Sequence, residues 1–204
     1  MIGQPVPHRG PSCRRTRILD AACSLLRRQG PDKTTIAQVA RAAKVGVGTV
    51  YLEFASKDAI ITALSERRHE GVLAAMRAAA CAPNRSFELR LAAIFERRTA
   101  RFLELADDGT HAPSLLCANT CAAVREACSS FREAQIAVIE DFLRRAREAD
   151  ALRVEPDARA VAKIILLAHA SFEPPQLLTR ARDEIEADLS AMVRLILDGL
   201  RRRA

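Results

Sequence analysis

"TTIAQVARAAKVGVGTVYLEFASKDAI", residues 34–60, decides the fold. Its second half places Gly46 and Gly48 just before Thr49, Val50 and Tyr51, and closes on Ser56-Lys57-Asp58. Glycines in such a run either cradle a phosphate or let backbones approach closely. A phosphate loop needs a strand before it and a Gly-Lys-Ser/Thr ending. Neither is present. Thr35 with Gln38 makes a capping box, and Ile36, Val39, Ala40 and Ala43 recur at helical spacing behind it. A turn of about three residues over Lys44-Val45-Gly46 then leads into a short helix, Val47 to Phe54, which is the arrangement of a helix-turn-helix. Ala40 and Ala43 let the two helices cross closely. Gly46 and Gly48 keep side chains off the start of the second helix, so that this end can enter a major groove.

Outward from this stretch the chain reads as helix throughout. On its N-terminal side, Ile18, Ala21, Ala22, Leu25 and Leu26 define a helix over Arg14–Gln29 that Gly30-Pro31 stops. On its C-terminal side, Ser56 caps a long helix from Lys57 to about Ala80, with Ile60, Ile61, Leu64, Val72 and Met76 on one face. Further helices are expected around Phe87–Leu105, after Pro113, from about Cys121 to Ala149, from Pro156 to the break at Pro174-Pro175, and around Ile185–Leu200. No segment reads as a strand and no repeat occurs. The expected fold is all-α with about nine helices. It divides into a flexible basic arm (1–11), a three-helix helix-turn-helix domain (12–56), a connecting helix (57–80) and a larger helical domain (81–204).

Composition narrows the function classes. Of the 204 residues, none is Trp and only one is Tyr, and Leu, Ala and Arg dominate. No run is apolar enough for a bilayer and the N-terminus lacks the apolar centre of a signal peptide, so a cytoplasmic protein without a membrane partner is expected. The net charge of +7 is uneven. Residues 1–60 hold ten Lys and Arg against four Asp and Glu, while residues 61–204 hold twenty-two against twenty-one. A basic head on a balanced body points to an acidic polymer as the head's partner. The six cysteines contain no CxxC pair. Cys117, Cys121 and Cys128 lie near His111, but free cysteine packs as a small hydrophobe, and neither metal nor cofactor is expected.

The residues 34–60, preceded by a helix ending "RRQG", resemble the TetR (tetracycline repressor) family of bacterial transcription regulators. Thr34, Thr35, Ile36, Val39, Ala40, Ala43, Val45, Gly48, Thr49, Val50, Tyr51, Phe54, Ser56, Lys57 and Asp58 stand at matching places. The resemblance implies that Thr35, Thr49, Tyr51 and Lys57 anchor DNA phosphates, while Lys44, Val47 and Leu52 lie where base edges are read. Three residues depart from the pattern. Lys44 stands where Gly is preferred, at a cost of about 1 kcal/mol if the backbone is left-handed there. Gly46 forgoes a side-chain cap. Glu53 would repel phosphates if it faced them.

The same resemblance implies a homodimer, paired through residues 157–172 and 181–200, and a small-molecule effector in the helical body. Polar residues interrupt apolar stripes at Arg98, Gln135 and His169, on helices that line the family's pocket; Phe102, Cys121 and Cys128 share those helices. A buried guanidinium must be satisfied. Either an internal acid such as Glu140 pairs with Arg98, or an anionic effector does so bidentately. The expected function is a ligand-responsive transcription regulator, most simply a repressor, on palindromic double-stranded operator DNA. The alternative is an α-helical small-molecule-binding protein or enzyme that binds no DNA. No nucleophile–base pair supports catalysis.

Overall fold

A computed structural model describes residues 11–107, 122–153 and 157–200. The described residues form eight α-helices and no strand: α1 (Pro11–Lys33), α2 (Ile36–Ala43), α3 (Val47–Glu53), α4 (Lys57–Ala80), α5 (Phe87–Ala106), α6 (Ala122–Glu148), α7 (Ala158–Ala168) and α8 (Arg182–Leu200). Two short 3-10 turns, Ala170–Phe172 and Gln176–Thr179, join α7 to α8. Residues 1–10 of the expected arm, the helix expected after Pro113, His111, Cys117, Cys121 and Pro156 lie outside the described residues, while Pro11, expected in the arm, opens α1.

Helix boundaries follow local chemistry. Gly30, at φ 78°, breaks α1 where the Gly-Pro pair stands, and the remaining turn runs on to Lys33. Both halves of the capping box form: the Gln38 amide donates to Thr35 Oγ1 at 3.3 Å and the Thr35 amide to Gln38 Oε1 at 2.9 Å. Ser56 and Ser86 cap α4 and α5 with one such bond each, accepting the Ala59 and Leu89 amides. Asp157 caps α7, which ends at Ala168, four residues short of the expected segment, with His169 at its C-cap.

Two apolar cores result. The first joins Ile18, Ala22 and Leu26 of α1 to Val39 and Ala40 of α2, Val50 of α3, and Ile60 and Leu64 of α4. Val124, from the first turn of α6, is fully buried in this head core. The second core packs Met76 of α4, Leu91, Ile94 and Phe95 of α5, and Ile139, Phe142 and Leu143 of α6 against α7 and α8. Helix α4 belongs to both cores, its first two turns to the head and its last three to the body. Among the described residues no helix is long and apolar enough to cross a membrane.

Candidate nucleic-acid interface and the buried cluster in the body

Helix α3 is pinned on its inner face and open on its outer one. Val50 and Phe54 are buried. At the C-terminal end, Arg15 donates to the Glu53 carbonyl at 2.8 Å and lies 4.1 Å over the Phe54 ring. A cation at the last turn satisfies an orphan carbonyl and complements the helix dipole. The Glu53 carboxylate turns back to Arg14 at 3.5 Å, so it is drawn toward α1. Outward, by contrast, stand Val47 (43% exposed), Tyr51 (54%) and Leu52 (84%). For a seven-residue helix this is a large apolar and phenolic surface left to a partner.

The turn before α3 explains its glycines in part. Lys44 takes the left-handed conformation (φ 55°, ψ 49°) as the cap of α2, and Gly46 caps α3 without a side-chain bond. A Cβ on Gly46 would touch only Thr49 Oγ1, at 3.8 Å, and one on Gly48 would touch nothing within 4 Å. Neither glycine has a positive φ. Nothing inside the chain therefore requires glycine at either place, and the open space in front of them faces outward.

The remaining candidate anchors flank this surface. Thr35 is exposed and its oxygen accepts the Gln38 amide. Thr49 is half-buried. Lys57 Nζ donates to the Pro31 carbonyl at 2.9 Å, tying α4 to the end of α1. Gln29 completes this corner, donating to the Lys33 carbonyl at 2.8 Å and to Gln38 Oε1 at 3.1 Å.

In the body, the three polar interruptions converge. Arg98 is fully buried, and its Nε donates to Gln135 Oε1 at 2.5 Å. One terminal nitrogen lies 3.1 Å from His169 Nδ1, and the other pairs with the Glu173 carboxylate. The internal acid is thus Glu173; Glu140 instead pairs with Arg159 at 3.2 Å. Arg98 has a protein carboxylate as its partner, so the expectation that it holds an effector's anion directly is corrected. Burial holds the guanidinium pKa below its usual value, and Glu173 opposes only part of that shift. Arginine only donates, so His169 Nδ1 must accept and the imidazole must be neutral. Burial first, then Arg98, pushes the His169 pKa down to about 3, in agreement with that geometry. The ring lies between Phe95 and Phe172, with centroids 4.5 Å and 4.9 Å away.

Phe102, Cys128 and Gln135 line a recess of about 110 Å³ in front of this cluster, beside Arg132 and Glu173. Cys121 lies outside the described residues. Sequence reasoning missed Glu173, which sits between two 3-10 turns where no periodicity operates. Its only signal was being the sole acid between Asp157 and Asp183. It also missed Val124, whose place in the head core depends on how α6 approaches α1 and α4.

Comparison with known proteins bears on both halves. The family described as bacterial regulatory proteins, tetR family, matches residues 18–64. A comparison with curated proteins finds no match. The whole chain resembles the fatty acid degradation regulator FadR from Bacillus halodurans, with TM-score 0.68, 20% identity, and 96% of this chain and 99% of that one covered. It is also similar to FadR from Bacillus subtilis in complex with stearoyl-CoA (TM-score 0.67, 16% identity, 91% and 99% covered). A TetR/AcrR-family regulator from Thermobifida fusca gives TM-score 0.66 at 23% identity, with 93% and 99% covered. At such identities the likeness speaks for the fold alone. Residues 18–64 thus carry a sequence match to the tetR family of bacterial regulatory proteins, and nearly the whole chain shares the fold of these solved regulators.

Proposed function

We propose that the chain regulates transcription, as a repressor, by binding a palindromic operator as a homodimer and leaving it when a small effector occupies the body. The observation that carries this reading is the outer face of α3, where Val47, Tyr51 and Leu52 stand exposed on a helix whose inner face is held by Val50. Val47 and Leu52 offer apolar contact, as to a thymine methyl, and Lys44 offers a donor to a base edge. Thr35, Thr49, Tyr51 and Lys57 supply phosphate contacts around them. Thr35 still has its hydroxyl proton to give, and two of the three Lys57 protons lie beyond the Pro31 bond. The glycines fit the same reading, since a DNA backbone can approach where no side chain stands.

Pairing is supported by apolar residues that the chain leaves uncovered on its last two helices. Ile164 (67% exposed) and Leu167 (69%) on α7, and Leu195 (74%) on α8, are large hydrophobics in segments 157–172 and 181–200. Burying this surface against a second copy forms a two-fold bundle. Val193, in contrast, is buried in its own subunit's core, so it reports on folding rather than pairing. Two-fold pairing implies half-sites spaced by about one DNA turn, roughly 34–36 Å. The test is a mobility shift with the DNA preceding the protein's own coding sequence, backed by selection from a random duplex pool. Recovery of an inverted repeat supports the reading. Salt-independent or absent binding to every duplex overturns it.

A further inference from the structure

Helix α6 presents small residues, Ala123, Ala127, Ser130 and Ala134, to the face of α4 that carries Thr62, Glu66, His69 and Leu73. Small side chains cannot fill the space between the two helices, and a groove of about 450 Å³ remains. That lies within the range of small-molecule sites, roughly 300–1,000 Å³. One end is floored by the His69 and Phe131 rings, stacked at 4.2 Å with an interplanar angle of 3°. Burial, then Arg68, pushes the His69 pKa down to about 4, so this floor is uncharged at neutral pH. The walls are acidic: Glu66, Glu70 and Glu126 all line the groove. Glu70 is neutralised by Arg77 at 3.0 Å, whereas Glu66 and Glu126 form no ion pair among the described residues.

Charge reverses across the stacked pair. The recess on its other side carries Arg68 and Arg132, but at about 110 Å³ it is smaller than the roughly 150 Å³ cavity that admits benzene. Resting on the ligand-responsive reading above, we propose that the α4–α6 groove is the effector site and that it takes a planar aromatic cation. The flat face lies along the small residues of α6, beside the stacked Phe131–His69 pair. The charge lies between Glu66 and Glu126. This replaces the anionic effector that an unpaired Arg98 would have called for.

The groove is also placed to act on the head. Its far end reaches Thr62 and Ala123, next in sequence to Ala63 and Val124, both part of the head core. A guest that spreads α4 from α6 therefore moves both elements that the body sends into the head. It needs only bind the spread state better than the closed one to shift the spacing of two heads.

Thioflavin T, a planar cation whose fluorescence rises when it is held rigid, and its uncharged analogue 2-(4-aminophenyl)benzothiazole test this on the full chain. Thioflavin T is expected to bind saturably and at least about tenfold more tightly than the neutral analogue, since two partly screened carboxylates contribute modestly each. The double variant Glu66→Gln, Glu126→Gln should abolish that difference while its circular dichroism and neutral-analogue affinity stay unchanged. Equal affinity for the two dyes, no binding of either, or tighter binding of 1-anilinonaphthalene-8-sulfonate that Arg132→Ala removes, overturns the proposal. Operator binding by the same preparation, measured without dye, separates the two readings. DNA binding without dye binding sinks the cation site alone, and dye binding without DNA binding sinks the regulator alone.

Discussion

Head and body hold their polar groups in opposite ways. In the head, polar side chains work at helix ends and mostly on backbone: Gln38 to Thr35, Arg15 to Glu53, Lys57 to Pro31. Each bond satisfies a terminal amide or carbonyl that a helix leaves over. In the body, one guanidinium at the centre gathers partners 37, 71 and 75 residues away in sequence. The head's bonds serve individual helix ends and are individually small. The body's cluster stands or falls together, because a buried charge without its partner is costly.

That contrast sets the largest expected effect. Arg98→Met should cost about 3–5 kcal/mol, since Glu173 and Gln135 lose their common donor. Thermal melting reads this as a fall of roughly 6–20 °C for a chain of this length. Adding Glu173→Leu should recover most of it. A double variant as unstable as the single one would show that the cluster's role is something other than charge compensation.

Next in size is pairing. Leu195→Arg with Ile164→Arg should weaken self-association by about 3 kcal/mol or more, roughly a hundredfold, because the charges enter an apolar interface. Sedimentation should then find folded monomers. An unchanged dimer would place the interface on another face. Val193→Arg should lower the melting temperature instead, being buried within its own subunit.

Acid should sharpen the contrast further. His169 is neutral in the folded chain down to about pH 3, yet takes a proton near 6.5 when unfolded. Between those values the unfolded state binds more protons, so stability falls as pH falls, by about 1.4 kcal/mol per pH unit. The contribution is fully present above about 6.5 and is lost progressively below it. His69, shifted to about 4, adds to the same trend over a narrower window and more weakly because it is partly exposed. His169→Gln should flatten this slope in denaturant titrations from pH 7 to 5. A slope equal to that of the unaltered chain would remove His169 from the cluster.

In the head the effects are smaller and separate folding from binding. Gly48→Ala should stabilise α3 by about 0.5–1 kcal/mol, because its Cβ meets nothing inside the chain. The same change should weaken DNA binding, since the methyl occupies space on the outward face. Tighter binding together with higher stability would refute the close approach of a backbone there. Lys57→Ala should lower the slope of log affinity against log salt by about one phosphate contact, equally on all duplexes.

Much of the head was legible in residues 34–60, and the reason is range. Capping boxes, Gly-Pro breaks and small-residue crossings act within a few residues, so Thr35, Gln38, Ser56 and Gly30 state their own roles. Even the departures could be read that way: Lys44 is left-handed and Gly46 lacks a side-chain cap. Glu53 could not, because its ion pair with Arg14 spans the whole head. In the body, periodicity located the helices and marked Arg98, Gln135 and His169 as interruptions. It did not say that the three meet, or that Glu173 completes them.

Sequence by itself determined an all-helical chain, a helix-turn-helix near its start and the positions of its polar exceptions, since each depends on neighbours within about one or two helical turns. Tertiary structure alone decided which carboxylate satisfies Arg98, that Val124 of α6 enters the head core, and that α4 and α6 leave an acidic groove between them. Those outcomes depend on how close-packed helices come to rest on one another. Burial of an unpaired charge is so unfavourable that packing must bring Arg98 a partner, but which partner is a matter of distance in space, not in sequence.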